Sequence, residues 1–414
     1  MPMDDQSLSD KLKSLRVRLG ARDLASARPV PPQEGYPIEI VVPGEFWPTT
    51  LGPIYVVEEV YPADFRQGNN CLRPQGSLRN IASWAKNWQV THLPHDQFAF
   101  LDTETTGLAG GTGTYAFLVG AGRFDGDSFR LAQFFMRDPT EEPALLEALS
   151  RFLDGCRALV TFNGKAFDVP LLNTRYTLNG VPSPLQEMTQ LDLLLLARRL
   201  WRRRLPSRSL GYLETHILGV SRTGEDVPGW YIPEMYFQYL RSGDARSMRG
   251  IFYHNAMDIL TLSALLSLMG RWLETPLEHI DEALDIVSVA GLFEDLGERE
   301  LACRLYHRSL DADLSSDVWA QTVQRLALLH KQMGQMEDAI DLWHRAAGDR
   351  HLYAFVELAK YYEHQCRDFT QAERWTVDGL ETVEQLRLSR YERREWREQF
   401  QHRLNRVRRK MGRS

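Results

Sequence analysis

A run of four apolar residues, Phe98-Ala99-Phe100-Leu101, ends on two acids one residue apart, Asp102-Thr103-Glu104. Its length and phenylalanine content suit a buried strand that delivers both acids at its carboxyl end. Side chains alternate along a strand, so Asp102 and Glu104 fall on one side and Thr103 on the other. Carboxylates in such a place are costly without a counter-charge. Two held together call for a cation. Hard oxygen donors from single carboxylates, with room left for water and phosphate, suit Mg²⁺ or Mn²⁺ rather than zinc.

The pattern around this strand predicts a sheet. Residues 98–102, 115–122 and 129–135 read as three consecutive strands, followed by a proline-started helix over 141–153. A buried strand over 158–162, a helix over 169–179 and a long amphipathic helix over 248–273 come next. Three successive strands and then helix–strand alternation predict an α/β domain, a mixed sheet flanked by helices, over residues 96–275. Residues 1–95 read as an accessory arm. Within it lie a helix-like stretch over 8–19, a proline-rich connection around Pro29-Val30-Pro31-Pro32, and β-prone pieces over 43–61 such as Ile54-Tyr55-Val56-Val57.

After Pro276 the strand signals stop. Ala302, Ala339 and Ala372 stand in matching surroundings at spacings of 37 and 33, and Leu326-Ala327 recurs as Leu358-Ala359 32 residues on. This period is similar to that of tetratricopeptide repeats, helix-turn-helix units that bury their apolar faces by stacking on a neighbour. It predicts an all-α, tetratricopeptide-like repeat domain over residues 281–386, able to recruit a protein partner, with a plain helical bundle as the other reading. Residues 387–414 read as a basic helical tail, carrying ten arginines and one lysine against three glutamates.

At 414 residues and 43% hydrophobic content, the chain has material for two or three domains with real cores. A net charge of −6 excludes a uniformly basic nucleic-acid coat, so any such contact rests on local blocks. One is the basic tail. Another is Arg198-Arg199-Leu200-Trp201-Arg202-Arg203-Arg204, which reads either as a grip on a strand by charge and by stacking on Trp201, or as a solvated helix end. Four scattered cysteines with no Cys-x-x-Cys pair fit a reducing, cytoplasmic setting. No apolar run approaches about 18 residues and the start lacks signal-peptide order, so no membrane association is expected.

Two further contexts carry acids. In Asn163-Gly164-Lys165-Ala166-Phe167-Asp168 a turn brings Asp168 to the start of a helix, where it reads equally well as a capping residue. Lys165 there is either a phosphate counter-charge or an ordinary surface lysine. In His254-Asn255-Ala256-Met257-Asp258, on a helix, His254 lies about 40° from Asp258 in projection and Tyr253 about 140°. His254 and Asp258 therefore face one site. Asp192 is either an additional acid or the cap of the helix that follows it. The glycine-rich Gly110-Gly111-Thr112-Gly113-Thr114 has no Gly-Lys-Ser/Thr ending, and reads as a turn beside the acids rather than a phosphate loop.

Together these residues resemble the DEDD superfamily of 3′-to-5′ exonucleases, whose ribonuclease H-like domains hold two metal ions with four acids in three motifs. Asp102 and Glu104 match the first motif, Asp168 the second, and Asp258, with His254 before it, the third. More narrowly, the stretch from Gly110 to Gly120, Ser209-Leu210-Gly211-Tyr212-Leu213-Glu214, and residues 254–260 resemble the YprB-like ribonuclease H domain family, often followed by helical repeats. The resemblance implies a ribonuclease H-like mixed sheet and a metal-dependent exonuclease that acts on single-stranded DNA or RNA and releases 5′-nucleoside monophosphates. It further implies two Mg²⁺ or Mn²⁺ ions on Asp102, Glu104, Asp168 and Asp258, with Asp102 bridging. Substrate contacts are expected from Thr105, Asn163 and Lys165. The third motif of these enzymes has Tyr four residues or His five residues before its Asp, whereas this chain has His254 at four and Tyr253 at five. Helix geometry favours His254 as general base, with Tyr253 as the alternative. An endonuclease using the same metals, and a nucleic-acid-binding scaffold recruiting partners through its repeats, are the competing readings.

Overall fold

The computed structural model describes residues 36–412 apart from 63 and 108–112. Its strands are β1 (Glu45–Thr49), β2 (Gly52–Pro62), β3 (Arg66–Gln67), β4 (Asn70–Cys71), β5 (Phe98–Thr105), β6 (Ala116–Asp125), β7 (Ser128–Phe135), β8 (Ala158–Thr161) and β9 (Thr189–Asp192). β3 and β4 pair with each other, and the other seven form one mixed sheet in the order β1-β2-β7-β6-β5-β8-β9. β5, β6 and β7, the three successive strands read from sequence, pair as an antiparallel meander, while β8 and β9 extend the sheet parallel to β5. The carboxyl ends of β5, β8 and β9 therefore open on the same edge, the usual place for a site in a sheet of this kind.

Residues 43–61, read from sequence as part of an accessory arm, carry β1 and most of β2 and are built into this sheet beside β7. The prolines that interrupt their pattern fit the position. Pro48 lies on the edge strand, and its partner Pro53 lies next to the turn, where a missing N–H disturbs little of the ladder. The helix-like stretch over 8–19 and the proline-rich connection lie outside the described residues.

The longer helices that flank the sheet are α1 (Glu142–Phe152), α2 (Asp168–Leu178), α3 (Leu193–Trp201), α4 (Ile232–Ser242) and α5 (Met248–Glu274). The alternation of β5 separates two cores. Phe98 and Phe100 join the one containing α3, and Ala99 and Leu101 join the one containing α1, α2 and α4. α5 belongs to both, with Ile251 and Phe252 in the second core and Ile259 to Leu273 in the first. By length and composition α5 is apolar enough to cross a membrane, yet 72% of its most apolar window is buried, which makes it the core helix of this domain.

The C-terminal region is helical: α6 (Ala283–Asp295), α7 (Arg299–Leu310), α8 (Ser316–Gln332), α9 (Met336–Gly348), α10 (Leu352–Tyr361), α11 (Phe369–Gln385) and α12 (Arg390–Lys410). The first six form three hairpins, and Ala302, Ala339 and Ala372 occupy the fourth position of the second helix in each, all fully buried. Leu326-Ala327 and Leu358-Ala359 are buried on first helices. The spacing seen in sequence thus marks equivalent packing positions. One apolar core runs without a break from Phe100 and Trp201 through Leu265 and Val289 to Leu305 and Trp343. α12, the basic tail, is docked on α11 through Phe400, which lies against Gly379 so closely that a Cβ there would stand 2.4 Å from its ring. Its Arg403, Arg406 and Lys410 converge on buried Glu363, in the turn after α10, at 3.1, 2.9 and 2.8 Å.

Candidate active site

Asp102, Gly120 and Gln133 lie side by side across β5, β6 and β7, because Asp102 pairs with Gly120 and Gly120 with Gln133. The missing side chain at Gly120 leaves a hole that α5 fills with Asn255. Its Nδ2 donates to Asp102 Oδ2 at 3.0 Å, and its Oδ1 accepts from Gln133 Nε2 at 3.0 Å. Gln133 also donates to the Phe252 carbonyl at 2.8 Å, so its buried side-chain N–H groups serve α5 twice. A Cβ on Gly120 would lie 2.2 Å from Asn255 Oδ1, so no other residue fits without moving the amide. Neither Gln133 nor Asn255 was singled out from sequence. The signal was a lone amide inside the apolar run of β7.

Glu104 shares the side of Asp102, and a register shift between Glu104 and Thr105 marks where β5 leaves its partner. Asp168 is the first residue of α2 rather than its cap, a position held by Phe167. Its carboxyl accepts a hydrogen bond from the Thr103 hydroxyl, so it meets β5 from the side opposite Asp102 and Glu104. Burial first, then the charges of Asp258, Glu104 and Asp168, push the Asp102 carboxyl well above the ordinary carboxylate range. Burial, followed by Asp258 and Asp168, pushes Glu104 up to about 8 against the pull of Arg222. Burial also raises Asp168 to about 6, against the Thr103 hydrogen bond. The acids lie within one another's field and demand positive charge.

α5 supplies the remaining members. His254 and Asp258 share a face, with Nε2 3.6 Å from Asp258 Oδ2, as helix geometry required. The loop between α3 and α4 closes over them. Its Arg222 ion-pairs with Asp258 and with Glu214, the latter at 2.7 Å, and its Asp226 lies 2.8 Å from His254 Nδ1. Arg222 Nη1 is also 3.0 Å from that nitrogen. Glu214, only 1% exposed, begins the wide helical turn Glu214–Leu218 and also accepts from Thr261 at 2.9 Å. The loop is pressed onto α5 at Gly250, where a Cβ would stand 2.8 Å from the Glu225 carbonyl. Tyr253 turns to the same loop, accepts from Thr223 N at 3.0 Å, and has no hydrogen bond to any of the four acids. Arg222 and Asp226 went unnoticed in sequence, and Glu214 entered only within a longer motif. A charged pair four apart between Gly219 and Pro228 was their only signal.

The other expected positions divide. Thr105 is buried and donates to the Gly107 carbonyl at 3.0 Å, closing a turn. Asn163 adopts φ +66°, a left-handed conformation that asparagine tolerates, and its N–H donates to Asp192 Oδ1 at 2.8 Å. Asp192 also caps α3 through Leu194 N at 3.0 Å, so it serves the cap and the neighbouring turn together. Lys165 is exposed beside them. Trp201 is 0% exposed and lies in the apolar core, which removes it as a stacking surface: it sits on the inner side of α3, one turn along from Ala197. Most of the glycine-rich segment lies outside the described residues. Among the described residues no three His, Cys, Asp or Glu side chains already form a ligand set for one ion. The donor chemistry nonetheless fits hard divalent cations, since the crowded groups are all carboxylates and raise one another's affinity for positive charge.

Residues 99–270 match the family RNase_H_2, of the RNase_H superfamily, a span that runs from β5 into α5 and includes all four acids, His254 and Arg222. The chain is also 33% identical over 332 residues to the "Uncharacterized protein YprB" of Bacillus subtilis (strain 168), covering 77% of this chain and 78% of that protein.

Proposed function

The chain belongs to the RNase_H superfamily, and from that premise we propose that it is a metal-dependent 3′-to-5′ exonuclease releasing 5′-nucleoside monophosphates from single-stranded nucleic acid. Members of this superfamily are usually nucleases that use divalent metal ions, so nucleic acid is the expected substrate. The observation that carries the reading is the end of β5, where Asp258 and Asp168 push the buried Asp102 and Glu104 carboxyls upward and one guanidinium, Arg222, is set against Asp258. The 3′-to-5′ polarity follows from the resemblance of the three acidic motifs to those of the DEDD exonucleases.

In this reading the four acids hold Mg²⁺ or Mn²⁺ ions. When bound, such ions lower the pKa of an attacking water and offset charge on the phosphate. The chain's own groups supply the rest. We assign His254 the tautomer whose Nδ1–H is donated to Asp226, with Arg222 packed beside the same nitrogen, which leaves the Nε2 lone pair on the side of Asp258 to accept a proton from water. Asn255, steadied by Gln133, fixes the rotation of the Asp102 carboxylate. Lys165 offers positive charge to a phosphate arriving at the edge of the sheet.

Purified protein with Mn²⁺ or Mg²⁺ should shorten a 5′-labelled single-stranded oligonucleotide stepwise, tested on DNA and RNA, and Asp102→Ala should abolish the ladder. A ladder of equal intensity from the variant would defeat the assignment. Cutting of circular or 3′-blocked strands would replace the exonuclease reading by an endonuclease on the same acids.

A further inference from the structure

A cavity of about 590 Å³ opens beside Asp192, lined among others by Trp84, Lys165, Leu195, Arg198, Arg202 and Arg208. It starts at the edge where the carboxyl ends of β8 and β9 meet, since Asp192 belongs to its wall and Lys165 lies three residues before Asp168. Its charge is uneven in an informative way. The arginines of residues 198–204 do two jobs. Arg199 and Arg204 are committed to the helical repeats, pairing with Asp295 at 2.6 Å and Asp285 at 2.8 Å. Arg198 and Arg202, one turn apart on the exposed side of α3 and its end, make no hydrogen bond or ion pair among the described residues, and neither does the Lys165 ammonium. Arg208 is partly engaged, its Nη1 donating to the Leu205 and Pro206 carbonyls at 3.0 Å while its buried Nε has no partner among the described residues.

Positive charge continues beyond this cavity. Arg202 also lines a smaller one, of about 90 Å³, where α3 meets the helical hairpins, and there the charge is engaged: Arg203 donates to Gln321 at 3.3 Å and Arg325 of α8 pairs with Glu294 at 2.8 Å. Burial first, and then the neighbouring Arg325, Arg202 and Arg199, hold the Arg203 guanidinium below its ordinary pKa. In a chain of net charge −6, such a row is a local device. Between the cations stand apolar surfaces: Trp84 is half-buried and Leu195 is 49% exposed. Alternating phosphate-sized charge and flat apolar surface is the arrangement that holds unpaired bases and their backbone.

We propose that this cavity is the track for a single strand, its phosphates running along Lys165, Arg198 and Arg202, and its unpaired bases resting on Trp84 and Leu195. The proposal rests on the nuclease reading for the identity of the strand, but it does not require catalysis. The occupant is single-stranded because a base already paired and stacked in a duplex has no free face for Trp84.

The test is the binding of a fluorescent single-stranded oligonucleotide to the full chain in EDTA, by anisotropy over a range of salt concentrations. Arg198→Glu/Arg202→Glu should bind at least about tenfold more weakly, and its logarithmic salt slope should fall by about 1.4, two phosphate contacts at about 0.7 each. Trp84→Ala should lose roughly fivefold or more with the slope unchanged. Arg198→Gln/Arg202→Gln repeats the readout if the charge reversal does not fold. Wild-type affinity in the arginine variants, or equal affinity for a duplex of the same length, would overturn the track. A wild type that binds through these residues yet never hydrolyses a strand would defeat the nuclease reading alone, and one that hydrolyses while the arginine variants bind normally would defeat the track alone.

Discussion

Asn255 reaches Asp102 across the empty side-chain position of Gly120, so a helix residue sets the orientation of a carboxylate on a neighbouring strand. Three strands and one helix are thereby tied to the placement of one acid. Buried amides of this kind are expensive to disturb, because a partner left unpaired keeps its full desolvation cost.

Gly120→Ala should therefore cost more than an ordinary strand substitution. We expect a loss of about 1–3 kcal/mol in unfolding free energy from overpacking, with a fall in kcat larger than any change in KM. Asn255→Ala should cost about 1–3 kcal/mol by leaving Gln133 and Asp102 short of a partner. Urea unfolding and steady-state kinetics on the same preparations check both. An unchanged kcat in either variant would show that the amide does not position Asp102.

His254 and Tyr253 are adjacent in sequence but serve different neighbours, Asp258 and Asp226 for the histidine and the Thr223 amide for the tyrosine. His254→Gln should reduce kcat by about 10²–10⁴. Tyr253→Phe should keep the rate within about threefold. The reverse pattern would transfer the proton-accepting role to Tyr253.

Glu104 makes the metal-free protein sensitive to alkali. Its pKa rises from an ordinary 4.5 to about 8 on folding, so the folded state holds the proton more tightly than the unfolded chain. That contribution is fully present below about 4.5 and is lost as pH rises towards about 8. Thermal unfolding in EDTA should show the midpoint falling across this window, with a flatter curve for Glu104→Gln, and Mg²⁺ should restore more stability at pH 8 than at pH 6. Parallel curves for wild type and variant would contradict it.

Glu363 has the opposite sign. Burial alone would raise it, but Arg406 and Lys410 hold it down to about 2. Its contribution is present above its ordinary 4.5 and disappears as pH falls towards about 2. Glu363→Gln, which strands buried Arg403, should cost about 3 kcal/mol at pH 7, and the gap to wild type should narrow on acidification below pH 4.5. Unfolding followed by α-helical circular dichroism reads this directly. A gap independent of pH would mean that the charge of Glu363 does not hold α12.

The parts of this molecule that could be read in advance are those where side-chain period decides position. Alternation put Asp102 and Glu104 together, helical spacing put His254 on Asp258, and repeated alanines marked equivalent places in three hairpins. What escaped depends on neighbours distant in the chain. Arg222 and Asp226 lie in an irregular loop with no period to follow, 36 and 28 residues from the partners they meet. The row of Asp102, Gly120 and Gln133 exists only once strand register is known. Trp201 was misread because five arginines around it hide the apolar side of α3, although Leu193, Ala197 and Leu200 already trace that side.

The unbroken apolar core from β5 through α3 and α5 to the repeats also fixes a length. A linker would let the helical hairpins swing, whereas a shared core makes them a rigid extension of the sheet. Anything seated on those hairpins is held at a set distance and bearing from Asp102, so the array works as a ruler, and a chain cut after residue 280 would lose its measure together with one wall of its interior.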